Sequence, residues 1–431
     1  MSLFLGGIVM SLQQIIAIVI FLCTMGAIIT GKVHNTVASL TGAACLVLTH
    51  ILSIEDCVDA VDVETICILV GMMLLVAVIK NSGIFEYIAI KAAKIAKGRP
   101  WPIMVIFILI TAVCSGMLDN VTTVLLVGPM TLAITNILKV DPVPYIITQI
   151  MASNIGGTAT LIGDPPNIMI GSAAKLSFVD FILNTGFATV FVMIVGLICM
   201  YFIYGRKLFV EDAAIAKVMQ LDENKAIKNR KLMHESVIAI ILVALCFIFH
   251  DQLGVQSCTV AIAAACIMLL IGGQEPEEII SEVEWPTILF FIGLFIVVGG
   301  MKKVGVITML ANGLISITHG NMIVTMMVIL WVSAIVSSFL DNIPFVATLI
   351  PMILTMQAEG MDVTPIWWAL SLGACLGGNG TLIGASANVV LSGISKNNGH
   401  PITFGQYFKI GFPMMILSVA VCSVFLLIRF A

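Results

Sequence analysis

An acid and an amide stand side by side inside an apolar stretch at Leu118-Asp119-Asn120-Val121-Thr122-Thr123, and again at Leu340-Asp341-Asn342-Ile343-Pro344-Phe345. The two pairs are 341 − 119 = 222 residues apart, and Pro129 and Pro351, which follow them, keep the same interval. A carboxyl group at membrane depth is costly, so it persists where it faces protein, water or an ion. Found twice at one interval, it marks an internal repeat.

The surroundings of these pairs place them in a membrane. Of the 431 residues, 60% are hydrophobic and 10% charged, against roughly 25% charged in a soluble domain. The apolar runs approach the ~20 residues that cross a bilayer core as helix. They do not alternate as transmembrane β-strands do, so the chain reads as an all-α polytopic membrane protein. A net charge of −4 offers no nucleic-acid footprint. The eleven cysteines are scattered singly, without a Cys-x-x-Cys pair, and read as packing residues. The run Ile8–Ile29 has no basic leader or small-residue cleavage site, and is expected to be a retained first span.

A second span is expected over Val37–Leu52 and a third over Ile66–Ile79, with the acidic link Glu55, Asp56, Asp59, Asp62 and Glu64 between them. Lys91, Lys94 and Lys97 fall at helical spacing in Ile84–Lys97, an expected amphipathic helix of the headgroup region. Residues 103–138 then form an apolar stretch broken at Asp119-Asn120, read as a re-entrant hairpin with arms of about 15 residues. Residues 145–174 are interrupted by Ser153-Asn154-Ile-Gly156-Gly157-Thr158-Ala-Thr160-Leu-Ile-Gly163-Asp164-Pro165-Pro166-Asn167. Prolines and glycines at that density require a discontinuous helix. A plain span over Phe181–Tyr204 closes a first repeat, residues 1–204, and the hydrophilic stretch 205–235 links it to a second, residues 236–431. There the hairpin recurs over 323–357 and the broken helix over 365–395, as Gly377-Gly378-Asn379-Gly380-Thr381-Leu-Ile-Gly384-Ala-Ser386-Ala-Asn388.

The basic segments 80–99 and 206–231 belong on the cytoplasmic side and the acidic link outside. Threading the chain accordingly gives each repeat five crossings. An odd number forces the second copy upside down. The expectation is about ten spans, two re-entrant hairpins and two broken helices in an inverted-topology repeat, with both termini outside.

Such a fold brings hairpin tips and helix breaks together near the bilayer midplane. The side chains there are hard oxygen donors suited to a small cation. The candidate ion- and substrate-binding residues are Asp119, Asn120, Thr122, Thr123, Asn154, Gly157, Thr158, Thr160, Asp164 and Asn167 from the first repeat. From the second they are Asp341, Asn342, Asn379, Thr381, Ser386 and Asn388, with sodium expected at Asp119, Asn120, Asp341 and Asn342. A carboxyl group in this setting pairs with a cation or carries a proton, and either state couples transport to an ion gradient. Asp164 has Ala385 opposite it in the second copy. The alternative is structural: Asp119, Asp341 and Asp164 as helix caps, Asn167 and Asn388 as ties for freed backbone. His250 and His319 fall at span ends and read as interfacial; Cys114 and Cys375 stand beside the breaks, where thiols could serve a soft metalloid. No catalytic constellation and no Gly-Lys-Ser/Thr phosphate loop is found. Uphill transport would draw on an ion gradient, or on a cytosolic ATPase subunit carried by another chain.

Leu118-Asp-Asn-Val-Thr-Thr followed by Asn154-Ile-Gly-Gly-Thr-Ala-Thr-Leu-Ile-Gly-Asp-Pro-Pro-Asn167 resembles the arsenite permease and P protein (pink-eyed dilution) branch of the ion transporter superfamily. NhaD-type sodium/proton antiporters and sodium/dicarboxylate symporters would be more distant relatives. The resemblance covers nearly the whole chain. It implies a homodimer in membrane lipid, with a scaffold and a transport domain that moves as an elevator. It also implies that the tips and breaks line the ion and substrate sites. In the carboxylate branch the tips resemble a neutral Ser-Asn-Thr, where this chain has Asp119 and Asp341. A fixed negative charge disfavours a carboxylate substrate unless cations or protons neutralise it. The expected function is ion-coupled secondary active transport of arsenite or antimonite, driven by protons or sodium, with no cofactor beyond bound sodium. Sodium/proton antiport, sodium-coupled carboxylate transport and an uncoupled channel are the alternatives. The expected location is the plasma membrane, or the inner membrane of a bacterium.

Overall fold

The structure, a computed structural model, describes residues 3–5 and 8–431. Strands β1 (Leu3–Leu5) and β2 (Ile8–Met10) pair antiparallel ahead of the first helix. Helix α1 (Leu12–Thr30) therefore starts four residues later than the expected Ile8. Ser11 sets that start, because its hydroxyl and the Gln14 side chain close a reciprocal capping box.

The first repeat continues with α2 (Asn35–Leu48), α3 (Ile54–Ala60), α4 (Val63–Lys80), α5 (Ile84–Ile95), α6 (Pro100–Met117) and α7 (Asn120–Leu138). Then come α8 (Val143–Thr158), α9 (Pro165–Ala174) and α10 (Phe178–Phe181), which runs through one π-turn into α11 (Phe187–Ile203). Helix α12 (Asp212–Met219) lies in the linker. The second repeat comprises α13 (Arg230–Leu253), α14 (Ser257–Ile271), α15 (Pro276–Ser281), α16 (Trp285–Lys303), α17 (Val306–Ile317) and α18 (Met322–Phe339). It ends with α19 (Asn342–Ala358), α20 (Thr364–Gly377), α21 (Ser386–Asn397) and α22 (Phe404–Phe430). Helix starts recur at the interval of the acid-amide pairs, with 257 − 35 = 222 for α2 and α14 and 342 − 120 = 222 for α7 and α19.

Packing follows the repeat. Helix α4 packs on α14 and α16 on α2; α6 packs on α8 and α18 on α20; α7 meets α21 and α19 meets α9. Small residues permit the closest of these approaches. A Cβ on Gly71 would stand 2.7 Å from the Ala261 carbonyl carbon, and one on Gly293 at 2.7 Å from that of Ser39. The two copies are inverted. Lys80, at the end of α4, pairs with Glu282 just before α16 at 3.0 Å, while Lys303, at the end of α16, pairs with Asp56 of α3, the short helix that precedes α4. Equivalent helices thus run antiparallel. The linker lies on the Lys80 face, where Glu223 pairs with Lys94 at 2.6 Å and the Lys228 amide donates to the Ser82 carbonyl at 3.1 Å.

Among the described residues nine helices are long and apolar enough to cross a membrane, and the hairpin arms α6, α7 and α18 are among them. The expected arm length was too short: the four arms hold 18, 19, 18 and 17 residues. They are re-entrant all the same. Helices α6 and α8 start together, where the Tyr145 hydroxyl donates to the Pro100 carbonyl at 3.0 Å, and run parallel to the level where Thr160 Oγ1 donates to the Gly116 carbonyl at 2.5 Å. The hairpin turns back there, whereas the broken crossing continues through the 10 residues of α9, about 15 Å of helix. Its first part, α8, is buried along nearly its whole length, as is α20, so the breaks face protein and not lipid. Exposed apolar residues such as Leu22, Phe191, Ile238 and Ile428 cover the outer surface. Helix α2 has only 14 residues, about 21 Å, and it is wedged between α1 and α16.

Candidate functional site

Each hairpin tip is a helix start, and the acid is its cap. Asp119 Oδ1 accepts from the Thr122 amide at 2.8 Å and Oδ2 from the Thr122 hydroxyl at 2.5 Å. Asp341 Oδ1 accepts from the Ile343 amide at 3.1 Å, and Oδ2 from the Ser386 hydroxyl of the second broken helix at 2.8 Å. The caps leave lone pairs over on both carboxylates. Asp119, Asn120 and Thr123 are buried.

Asp164 begins α9 without making a cap bond. It is buried and receives both its oxygens' contacts from the Asn342 amide, each at 3.3 Å. That contact joins the repeats across 178 positions. The charges of Asp119 and Asp341 both act on Asp164, so three carboxylates from two repeats share one region. Among the described residues no lysine or arginine forms an ion pair with any of the three. Asn120 occupies the place of Asn342 in the first copy, but Ala385 stands where its acid would be. The site is asymmetric.

The asparagines of the breaks divide the remaining work. Asn167 Nδ2 donates to the carbonyls of Gly157, Thr158 and Thr160 at 3.2, 3.2 and 2.9 Å, and its oxygen accepts from Ser371 at 2.6 Å and from the Cys375 thiol at 3.5 Å. Asn388 donates to the carbonyls of Gly378 and Thr381 at 2.7 and 2.8 Å. Freed backbone at this depth needs such partners, and these amides are committed to it. Asn154 crosses between the repeats, donating to Asn379 Oδ1 at 3.0 Å and Asn388 Oδ1 at 2.9 Å. Its own oxygen is buried with no protein partner, and so is the Thr123 hydroxyl. Thr158 bonds back to the Asn154 carbonyl at 2.6 Å, and Thr160 and Thr381 hold the hairpins through the Gly116 and Ser338 carbonyls. Gly157 keeps the break tight, since a Cβ there would stand 2.6 Å from the Gly163 carbonyl oxygen. Of the expected residues, Asp119, Asp164, Asp341, Asn342 and Ser386 therefore form the polar cluster of the tips and breaks. Asn167, Asn388, Thr160 and Thr381 brace it.

Asp341 and Ser386 line two adjoining cavities of about 390 and 350 Å³ that open beside the α1–α2 turn, with His34, Asn35 and Thr287 on the wall of the second. A cavity of about 400 Å³ on the opposite face holds Glu64, Lys175, His250 and Gln256 but stops at α9 and does not reach Asp119. Residues outside the expected set also contribute. Ser115 and Ser337, at the same interval, anchor the tips by donating to the Ser153 and Ala374 carbonyls, each at 2.6 Å. Glu284, half-buried before α16, accepts from Thr287 at 3.2 Å. Burial, and then the nearby Asp119 charge, push its carboxyl above the usual range, while Thr287 pulls the other way. The signal for Glu284 was its place opposite Asp62 in the repeat.

Residues 25–373 match the sequence profile of a family described as "Citrate transporter" (CitMHS). The chain is 41% identical to "Uncharacterized transporter Mb2703" of Mycobacterium bovis over 97% of its own length and 99% of that protein's. To the human P protein it is 33% identical, over 96% of its length and 60% of that protein's. Among solved structures, the Alcanivorax borkumensis YdaH transporter matches with a TM-score of 0.59 at 12% identity, covering 96% of this chain and 98% of that one. That likeness is one of fold.

Proposed function

The chain belongs to the citrate transporter family, and we propose that within it this protein is a cation-coupled secondary active transporter of a small neutral solute. Asp119, Asp164 and Asp341 hold the coupling cation, sodium or a proton. The observation that carries this reading is the contact of the Asp341-Asn342 tip with Asp164 across the two inverted repeats, with the Asp119 charge also acting there and, among the described residues, no lysine or arginine paired with any of the three. Three like charges in a dry chamber repel unless a cation or protons neutralise them. A bare tricarboxylate adds to that repulsion, whereas an uncharged hydroxide such as arsenite or antimonite does not. The Cys375 thiol, packed against Asn167 beside Asp164, favours such a thiophilic solute.

A second reading is sodium/proton exchange, favoured by the carboxylate and hydroxyl oxygens that meet at the two tips. In either case the hairpins and broken helices move against α2, α4, α14 and α16, carrying the carboxylates between the faces. Purified protein in liposomes distinguishes the readings. Arsenite flux driven by an imposed sodium or proton gradient supports the first. Proton movement on adding sodium, without arsenite flux, supports the second. Uphill movement of citrate alone, with no cation requirement, would refute the charge argument.

A further inference from the structure

We infer that Glu284 is a port carboxylate, which receives the coupling cation from the open cavity and passes it to the hairpin-tip acids. The inference rests on the cation-coupled reading. Its ground is the position of the first turn of α16. Pro286 and Thr287 of that turn, and Phe290 of the next, line the 350 Å³ cavity together with Asp341. The Thr287 hydroxyl, on the cavity wall, donates to the Glu284 carboxylate at 3.2 Å and holds it half-buried one hydrogen bond behind that wall. Asp119, which the cavity does not reach, is near enough for its charge to act on Glu284. The carboxylate is thus tied through Thr287 to a cavity that reaches Asp341 and not Asp119.

The charged and titratable groups around it come from several elements: His34 of the α1–α2 turn, Asp341 and Asp119 of the tips, and Glu282 with its partner Lys80. Lys80 is already matched by Glu282, and among the described residues Glu284 has no ion-pair partner.

The opposite face carries the same device in a different state. Asp62, at 284 − 62 = 222, caps α4 and holds Thr65 as Glu284 holds Thr287. Its other oxygen is taken by Ser172 of α9 at 2.9 Å, and the cavity on that face ends at α9. One port is open towards a tip and the other is latched by the broken helix. A carrier that alternates between faces would exchange these two states.

The test uses the full-length protein in liposomes, with sodium and protons as separate probes and the ion supplied on each face in turn. Glu284→Gln keeps the Thr287 contact through its amide oxygen and removes the charge. The expected result, with the ion on the Glu284 face, is a half-saturating sodium concentration raised roughly tenfold, or a pH midpoint lowered by about one unit. Half-saturation by the solute should stay the same, and Glu284→Asp should recover most of the ion affinity. A Glu284→Gln protein indistinguishable from the unmutated one on both faces overturns the port, as does a Glu284→Asp protein as impaired as Glu284→Gln. If Asp119→Asn remains inactive while Glu284→Gln is silent, the port alone falls. If all of these variants are silent, the cation-coupled reading falls with it.

Discussion

Asp119→Asn separates the two roles open to this side chain, helix cap and cation ligand, because the two differ in size. As a cap, Asp119 accepts from the Thr122 amide at 2.8 Å and the Thr122 hydroxyl at 2.5 Å. Asparagine is itself a good cap and keeps one acceptor oxygen, so the structural loss is about 1 kcal/mol. As a ligand, the carboxylate faces a cation in a partly dry chamber. A unit charge pair ~4 Å apart at an effective dielectric constant of ~20 is worth about 4 kcal/mol, close to a thousandfold in affinity. The substitution should therefore leave thermal unfolding in detergent nearly unmoved while ion-driven flux in proteoliposomes disappears at any practical sodium concentration. Asp341→Asn should behave alike, with the Ser386 bond as its local readout. The reasoning is refuted if both variants transport at the unmutated rate, or if flux and stability fall together by the amount a lost cap explains.

Further expectations concern packing, the breaks and pH. Gly71→Leu and Gly293→Leu each drive a side chain into backbone 2.7 Å away, a clash at the upper end of the ~1–3 kcal/mol cost of overpacking; the yield of monodisperse protein on size exclusion should collapse for both. Asn167→Ala strips three carbonyls and Ser371 of a partner and should cost about 2–4 kcal/mol, well above Ser371→Ala at about 1 kcal/mol; equal melting shifts for the two would contradict the bracing role. On the Lys303 face, hydrogen bonds from Lys303 and then Ser53 hold the Asp56 carboxyl down at about 2, below its ordinary 3.8. A depressed carboxylate stabilises above its unfolded value and loses that contribution as pH falls towards the folded one. The melting difference between unmutated protein and Asp56→Asn should thus be constant above about pH 5 and vanish between pH 4 and 2; a difference that grows on acidification would reverse the sign of the argument.

Much of the architecture was legible in the chain. Apolar runs, glycine and proline clusters and a repeat interval are local properties, and helix formation in lipid depends on little else. The hairpins were read correctly as re-entrant, but with arms of about 15 residues where they hold 17 to 19; a re-entrant arm and a crossing helix have the same composition, and the level at which Gly116 meets Thr160 tells them apart. The site residues were legible as a set and not by role. Asn167 and Asn388 carry the same amide as Asn342, and only the neighbouring carbonyls show that they are braces while Asn342 reaches Asp164. Glu284 went unnoticed because an acid beside a tryptophan at a helix start reads as an ordinary cap.

From the sequence alone came two oppositely oriented copies of a five-crossing unit, each with an acid at a break in its apolar stretch. The cost of burying charge and unpaired backbone in hydrocarbon allows few other arrangements of those residues. Tertiary structure decided which carboxylates meet, which amides are committed to backbone, and which face is open to Asp341. Those outcomes depend on how closely helices distant in the chain can approach, which small residues such as Gly71 and Gly293 set at contacts far from the site itself.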